Sequence, residues 1–142
     1  MSGVASLKNV LSFRELFELD ADPNLIEQVI INLLLNAKDA VLGKEGARIE
    51  LSAIEENHKL VLKIKDNGKG ISPEILDKIF VPFFSTKTSG SGIGLSLSKQ
   101  IMLMHKGNIH VASQEGAGTS FQLVFPKTNE PAMDRKVVTA LP

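Results

Sequence analysis

The fold is decided by two glycine-rich stretches, Asp66-Asn67-Gly68-Lys69-Gly70 and Gly90-Ser91-Gly92-Ile93-Gly94-Leu95. The first follows residues 60–65, in which apolar and charged side chains alternate as in a strand, and the second opens a strongly apolar helical pattern. Glycine lets the backbone approach a ligand closely and leaves amide groups free to face phosphate. The pair therefore indicates a nucleotide site.

The first stretch has two interpretations. An Asn-Gly pair after a strand is common hairpin chemistry, so Asn67-Gly68 alone predicts only a turn. In a binding site, Asp66 at the strand end would accept a hydrogen bond from an exocyclic amino group, while Gly68 and Gly70 leave room for a flat base. Adenine carries such an amino group.

The second stretch places glycines 90, 92 and 94 at the start of a helix. Free amides and the helix dipole favour phosphate there. The stretch is neither a Walker loop, which ends in Gly-Lys-Ser/Thr, nor a dinucleotide or protein-kinase glycine loop, because Leu95 stands where their third glycine belongs. A flexible linker is the plain alternative, although an apolar helix follows at once.

A helix is expected from Asp22, as the N-cap residue, and Pro23 to a C-cap at Gly43, buried on most sides by its apolar repeat. One polar stripe runs along it, made of Gln28, Asn32, Asn36 and Asp39. The stripe is either a solvated face or a ligand site. In the second case the side-chain oxygen of Asn36 would bind Mg²⁺, which usually takes one or two protein oxygens besides substrate phosphates.

The other elements predict an α+β fold, a two-layer α/β sandwich with a mixed, mostly antiparallel sheet and helices on one face. The expected strands are residues 17–20, a hairpin of 48–55 with 59–65, and a pair, 109–113 and 120–125, around the glycine turn 115–118; the other expected helices are a short one from Ser72 to about Lys78 and one over 94–105.

With 142 residues the chain suits one domain, assigned to 16–126, between an N-terminal arm or linker remnant, 1–15, and a polar tail, 127–142. A net charge of +0 without a basic cluster argues against nucleic acid. The absence of cysteine fits a reducing compartment, and no apolar run or leader suits a membrane or secretion. We therefore expect a cytoplasmic chain without membrane contact, leaving open a membrane-anchored parent.

Taken together, the motifs resemble the ATP-binding catalytic domain of sensor histidine kinases, in the GHKL superfamily that includes DNA gyrase, the MutL repair proteins and heat-shock chaperones. The matching boxes are the N box at 28–40, the G1 box at 66–70, the F box at 80–87, the G2 box at 90–95 and a last glycine turn at 116–119. They follow the family order across residues 16–126. The resemblance implies the Bergerat form of the sandwich.

The resemblance also implies ATP and Mg²⁺ as cofactors and assigns the site. Asn36 would bind the metal, Asp66 would bind adenine with Gly68 and Gly70, and Asn32 would support the metal and phosphates as the second catalytic residue. The remaining cofactor-binding residues are Asp39 on the stripe, Lys87 near phosphate, the G2 amides of Gly90, Ser91, Gly92, Ile93, Gly94 and Leu95, and Thr119 under adenine.

Two departures refine the expected function. Hydrolysing superfamily members carry a glutamate at the position of Asn32, and an amide cannot take a proton from water, so efficient hydrolysis is disfavoured. The chain also lacks the helical hairpin that carries a substrate histidine, and His58, His105 and His110 look structural. The expected partners are a separate phosphoacceptor histidine domain of the same or a partner chain, and a downstream response regulator.

Two features would serve those partners: residues 86–91 as a mobile lid over the triphosphate, and an exposed member of Phe80, Phe83 and Phe84 as a grip on the histidine domain. Two alternatives remain open. One is an anti-sigma-factor-type serine kinase of the same superfamily, whose product would be acid-stable. The other is a non-enzymatic module that binds ATP only as a regulatory ligand.

Overall fold

The computed structural model describes residues 4–8, 22–84 and 94–126 of the chain. Within these ranges, five strands form one sheet in the order β1-β2-β3-β5-β4, and three helices accompany it. The strands are β1 Val4–Lys8, β2 Arg48–Glu56, β3 Lys59–Asp66, β4 Asn108–Gln114 and β5 Gly118–Pro126; the helices are α1 Pro23–Ala40, α2 Pro73–Leu76 and α3 Gly94–Met104.

The sheet is mixed and mostly antiparallel, as predicted. Strand β1 runs parallel to β2, with Val4 opposite Arg48, and the other neighbouring strands are antiparallel. The predicted strand 17–20 lies outside the described residues. Strand β1 lies on the N-terminal side of the predicted domain boundary at residue 16, and that boundary stays a prediction.

The core lies between the sheet and the helices. Alternate residues of the central strands are buried, including Leu62 and Ile64 on β3 and Leu123 and Phe125 on β5. They form one cluster with buried residues of α1 and α3. Because full burial of such a side chain stabilises a fold by about 1.5–3 kcal/mol, this layer fixes the helices over one face of the sheet.

Helix α1 begins as predicted, with the Asp22 carboxylate accepting the backbone N–H of Asn24 at 2.9 Å. Two other expectations for this helix were wrong. Its C-cap is Val41, and Gly43, with φ +77°, belongs to the following turn. Burial is confined to one stripe, so that Ile31 and Leu35 on the outer side remain 42% and 52% exposed.

The hairpin of β2 and β3 is confirmed, with strands one residue longer than predicted at their C-terminal ends. Asn57 and His58 form its two-residue loop with φ values of +51° and +61°, the backbone of a type I′ turn. Helix α2 ends at Leu76, earlier than predicted, and the Ser72 side chain makes no capping hydrogen bond although its backbone has N-cap geometry.

Helices α1 and α3 are held together at two places. Asn32 Nδ2 lies 3.3 Å from both the Gly94 carbonyl oxygen and Ser98 Oγ at the start of α3. At the other end, His105 Nε2 accepts the backbone N–H of Asp22 at 3.0 Å, and its Nδ1 lies 2.7 Å from the Ile101 carbonyl oxygen. His105 therefore has the structural role expected of it.

Candidate functional site

A cavity of about 410 Å³ opens between α1, the loop after β3, the start of α3 and the β4–β5 turn. Its lining residues are Asn36, Asp39, Ala40, Asp66, Lys69, Gly70, Ile71, Ser72, Ile75, Ile79, Phe84, Gly94, Leu95, Glu115, Thr119 and Phe121. Several of these side chains are apolar, including Ile75, Ile79 and Phe121, which suits the flat faces of a base.

The structure brings together seven residues assigned from the sequence: Asn36, Asp39, Asp66, Gly70, Gly94, Leu95 and Thr119 all line the cavity. Asn32 and Gly68 are beside it rather than in its lining. The other assigned positions, Lys87, Gly90, Ser91, Gly92 and Ile93, lie outside the described residues, as does the predicted lid. Their roles stay predictions.

Asp66 is a buried carboxylate in the cavity lining. It is the last residue of β3, directly opposite Thr119 on β5, and it is only 4% exposed. Its Oδ1 accepts the backbone N–H of Gly68 at 2.8 Å. Burial raises the pKa of this carboxyl above the usual aspartate value, and the backbone hydrogen bonds of Gly68 and Thr119 partly oppose that rise.

The glycines after Asp66 are required by neighbouring protein atoms. A Cβ at Gly68 would collide with the backbone carbonyl of Ala40 at the end of α1, which also accepts the Lys69 N–H at 3.0 Å. Gly70, with φ +74°, lies against the carbonyl of Gln114. Sequence reasoning gave these glycines only the task of leaving room for a base, because the residues that pack on them are distant in sequence.

The polar stripe of α1 divides into two parts. The half-buried Asn32 connects α1 to α3 through its Nδ2, while its Oδ1 accepts the side-chain N–H of Gln28 at 3.1 Å. Asn36 and Asp39, one and two turns further along, line the cavity. These contacts do not agree with the alternative interpretation of the stripe as a purely solvated face of the helix.

The described residues fit a magnesium site in which phosphates of a bound ligand supply part of the coordination. No group of three or more His, Asp and Glu side chains that could hold a metal occurs within the described ranges. Asn36 and Asp39 nevertheless offer oxygen-bearing side chains in a cavity that the start of α3 also lines. Magnesium needs only one or two protein oxygens when phosphates and water complete its octahedron, so this donor set suits a metal that arrives with phosphate.

Sequence reasoning missed two serines that support the site. Ser98, fully buried in α3, donates to the Gly94 carbonyl at 2.8 Å and also contacts Asn32. Ser113 on β4 contacts Thr119 Oγ1 at 2.8 Å. The sequence held a signal for Ser113, because it continues the series of inward-facing alternate residues that Ile109 and Val111 begin on the same strand.

Residues 21–129 match the family described as histidine kinase-, DNA gyrase B-, and HSP90-like ATPase. The chain belongs to this family. The match covers nearly all of the predicted domain and the four boxes within it, so the resemblance inferred from the motifs is confirmed.

Individual members of the ATPase family agree with this placement. The sensor histidine kinase ZraS of Escherichia coli K12 is 44% identical over 109 residues, which are 77% of this chain and 23% of ZraS. The signal transduction histidine-protein kinase AtoS of the same strain is 42% identical over 112 residues, 79% of this chain and 18% of AtoS. The chain thus spans about a quarter or less of the length of these relatives.

A solved member of the ATPase family has the same fold. The catalytic domain of histidine kinase ThkA, determined in a nucleotide-free form, superposes with a TM-score of 0.67 at 38% identity, covering 76% of this chain and 70% of that one. The predicted α+β fold class is confirmed by this likeness. Within the described part of the chain, no helix is long and apolar enough to cross a membrane.

Proposed function

We propose that this chain is the ATP-binding catalytic domain of a two-component sensor histidine kinase. It transfers the γ-phosphate of Mg-ATP to a histidine on a separate dimerisation and phosphoacceptor domain, from which a response regulator receives it. The observation that carries this proposal is a single cavity with the buried Asp66–Thr119 pair at one end and the start of α3 at the other. A cytoplasmic location accompanies the proposal.

The base end of the cavity suits adenine. Asp66 and Thr119 supply oxygen atoms to a pocket otherwise walled by side chains such as Ile79 and Phe121. A carboxylate accepts a charge-assisted hydrogen bond from an exocyclic amino group, which adenine presents on its outer edge. Because the carboxyl is 4% exposed, water competes poorly for that hydrogen bond.

The other end of the cavity suits phosphate and magnesium. Gly94 is the first residue of α3, and a helix N-terminus directs unpaired amides and the positive end of its dipole at anions. We assign Asn36 to this end as the metal ligand, because it is one helical turn from Asn32 and lines the same cavity as Gly94, while Asn32 connects the two helices. The bound metal supplies charge neutralisation, while the chain supplies positioning, which is most of what phosphoryl transfer requires.

Asn32 favours transfer over hydrolysis. Its Nδ2 is within 3.3 Å of both Gly94 O and Ser98 Oγ, so the side chain is occupied as a connector between helices. An amide has no basic site comparable to a carboxylate and cannot take the proton of an attacking water. The nucleophile is therefore expected from another protein.

The three phenylalanines near the cavity have different surroundings. Phe80 is half-buried beneath the Lys99 ammonium, 5.1 Å from its ring centre, and Phe84 lines the cavity. Phe83 is 79% exposed and has a φ of +68°, a costly backbone angle for a bulky residue. An exposed aromatic side chain next in sequence to the cavity-lining Phe84 suits contact with the phosphoacceptor domain, and this position is our proposal for that contact.

The proposal is tested by phosphotransfer to a panel of acceptors. Labelled Mg-ATP and the full chain are incubated with separately supplied histidine phosphoacceptor domains and with a serine-bearing antagonist of the anti-sigma type. The expected product is a phosphoacceptor domain whose label is lost in acid. An acid-stable label on the serine protein would replace the proposal with the serine-kinase alternative, and ATP binding without any transfer would favour the regulatory module.

A further inference from the structure

Three polar residues form a row across the sheet. Asp66 on β3 is directly opposite Thr119 on β5, and Thr119 is directly opposite Ser113 on β4. Directly paired residues of antiparallel strands point to the same side of a sheet, here the side that carries the cavity. Asp66 and Thr119 line the cavity, whereas Ser113 is behind Thr119, one strand further from Asp66.

The Ser113 hydroxyl has three polar neighbours. It accepts the backbone N–H of Ile71 at 2.8 Å, it is 3.0 Å from the Gly118 carbonyl oxygen, and it is 2.8 Å from Thr119 Oγ1. A serine hydroxyl carries one proton and two acceptor lone pairs. The Ile71 N–H uses one lone pair, so the proton and one further lone pair serve Gly118 and Thr119.

Only one assignment of protons makes all three contacts hydrogen bonds. Ser113 donates its proton to the carbonyl oxygen of Gly118, which can only accept, and Thr119 donates its own proton to the second lone pair of Ser113. If Ser113 donated to Thr119 instead, its 3.0 Å contact with Gly118 would join two oxygens without a proton between them. The first arrangement therefore has one more hydrogen bond and no such contact.

This arrangement determines what Thr119 offers a ligand. With its proton directed at Ser113, Thr119 has only acceptor lone pairs left for the cavity, next to the carboxyl group of Asp66. Such a wall favours a base that donates from its 6-position, as adenine does through its amino group. It disfavours hypoxanthine, which has a carbonyl oxygen there and is otherwise nearly the same shape.

We propose that Ser113 is a positioning residue for base selection: by fixing the hydroxyl proton of Thr119, it makes this site prefer adenine nucleotides over 6-oxo nucleotides. The inference rests on the proposed function, because it concerns the base end of the same nucleotide cavity. Ser113 acts only through Thr119 and needs no contact with the ligand.

The test compares the affinities of ATP and inosine triphosphate for the full chain by calorimetry. Ser113→Ala frees the Thr119 proton to rotate toward the cavity, where it can serve a carbonyl oxygen. The ratio of ATP to inosine triphosphate affinity should then fall about 3- to 10-fold, roughly the value of one neutral hydrogen bond. Ser113→Thr, which keeps a hydroxyl and suits a strand, should restore most of the ratio.

Two further variants make the test specific. Ser120 is adjacent to Thr119 on β5 but on the other face, and its Oγ has no hydrogen-bond partner among the described residues, so Ser120→Ala is a matched control that should leave the ratio unchanged. In a Thr119→Val background, adding Ser113→Ala should change the ratio no further, because Ser113 acts through the Thr119 hydroxyl.

The outcomes separate this inference from the proposed function. If Ser113→Ala lowers the affinities for ATP and inosine triphosphate equally, the serine has only a structural role. That result would overturn the inference and leave the ATP site in place. Absence of ATP binding by the unmodified chain would overturn the proposed function itself. If Ser113→Ala does not fold, Ser113→Cys retains the volume with a much weaker hydrogen-bonding group, and the same fall in the ratio is required.

Discussion

Asn32 Nδ2 on α1 lies 3.3 Å from the carbonyl oxygen of Gly94, the first residue of α3. The two residues belong to different sequence motifs, and this contact joins the helix that carries Asn36 to the start of α3, the proposed phosphate end of the cavity. Ser98 completes the connection, since its hydroxyl contacts both residues. Asn32 therefore helps to set the spacing between the proposed metal and phosphate ends of the cavity.

Asn32→Ala should weaken ATP binding more than adenosine binding. The substitution removes the connection at the phosphate end of the cavity and leaves the Asp66–Thr119 pair at the base end unchanged. It should also lower the free energy of unfolding by about 0.5–1.5 kcal/mol, the typical net value of a hydrogen bond. Calorimetry with the two ligands and chemical denaturation measure these effects.

The control for this variant is Asn24→Ala, the same change at an exposed position of α1. It should leave both affinities nearly unchanged. Equal losses of ATP and adenosine affinity in Asn32→Ala would contradict the role assigned to the connection.

Gly68→Ala should destabilise the fold. The new Cβ would collide with the backbone carbonyl of Ala40, which cannot move without disturbing the end of α1. Overpacking of this kind costs about 1–3 kcal/mol of unfolding free energy. Gly94→Ala is a matched control for stability, because the nearest atom that its Cβ would meet among the described residues outside its own helix is Asn32 Cγ at 3.9 Å. Similar stabilities for the two variants would show that the glycine at 68 is not required by packing.

The buried carboxyl of Asp66 should make stability depend on pH. Burial raises its pKa above the ordinary value of 3.8, so the folded chain holds this proton more tightly than the unfolded chain. Its contribution to stability is fully present below that value and is lost as pH rises through the raised folded-state pKa. Relative to Asp66→Asn, which does not titrate, the unmodified chain should therefore lose unfolding free energy as pH rises from about 4 toward neutrality. A difference that grows in the opposite direction would show a carboxyl stabilised as an anion.

Asn36→Ala should abolish the magnesium-dependent phosphotransfer, because the variant lacks the proposed protein ligand of the metal. The side chain lines the cavity one turn beyond Asn32 and supplies an oxygen suited to the metal. Transfer to a histidine phosphoacceptor domain is measured across a magnesium titration, with Asn36→Asp as a variant that keeps an oxygen ligand and should retain much of the response. Identical magnesium titrations for Asn36→Ala and the unmodified chain would contradict the assignment of Asn36 as a metal ligand.

Local sequence patterns predicted most of the helices and strands but few of the contacts between them. Asp22 and Pro23 marked the start of α1, and alternation marked the β2–β3 hairpin, since capping and side-chain periodicity are properties of short segments. The close approach of Gly68 to the Ala40 carbonyl, which excludes a Cβ at position 68, depends on how α1 packs against the sheet. No short pattern contains that information.

The site shows the same division. Asp66 and Asn36 stood out because carboxylate and amide groups were unexpected in apolar or glycine-rich surroundings. The alternation of β4 already placed Ser113 on the inward-facing side, but its contact with Thr119 became visible only in the register of β4 and β5. The exposure of Ile31 and Leu35 was likewise not predicted, because an apolar repeat gives the direction of a helix face without showing what covers it.

Calorimetric titration of ATP into the unmodified chain and into Asp66→Ala shows whether the cavity binds an adenine nucleotide through this carboxylate. We expect clear ATP binding by the unmodified chain and an affinity loss worth about 1–3 kcal/mol in the variant, from the missing charge-assisted hydrogen bond to adenine. Thermal unfolding of the variant must confirm that it remains folded. Unchanged ATP affinity in a folded Asp66→Ala chain would contradict the assignment of this cavity as an adenine-nucleotide site.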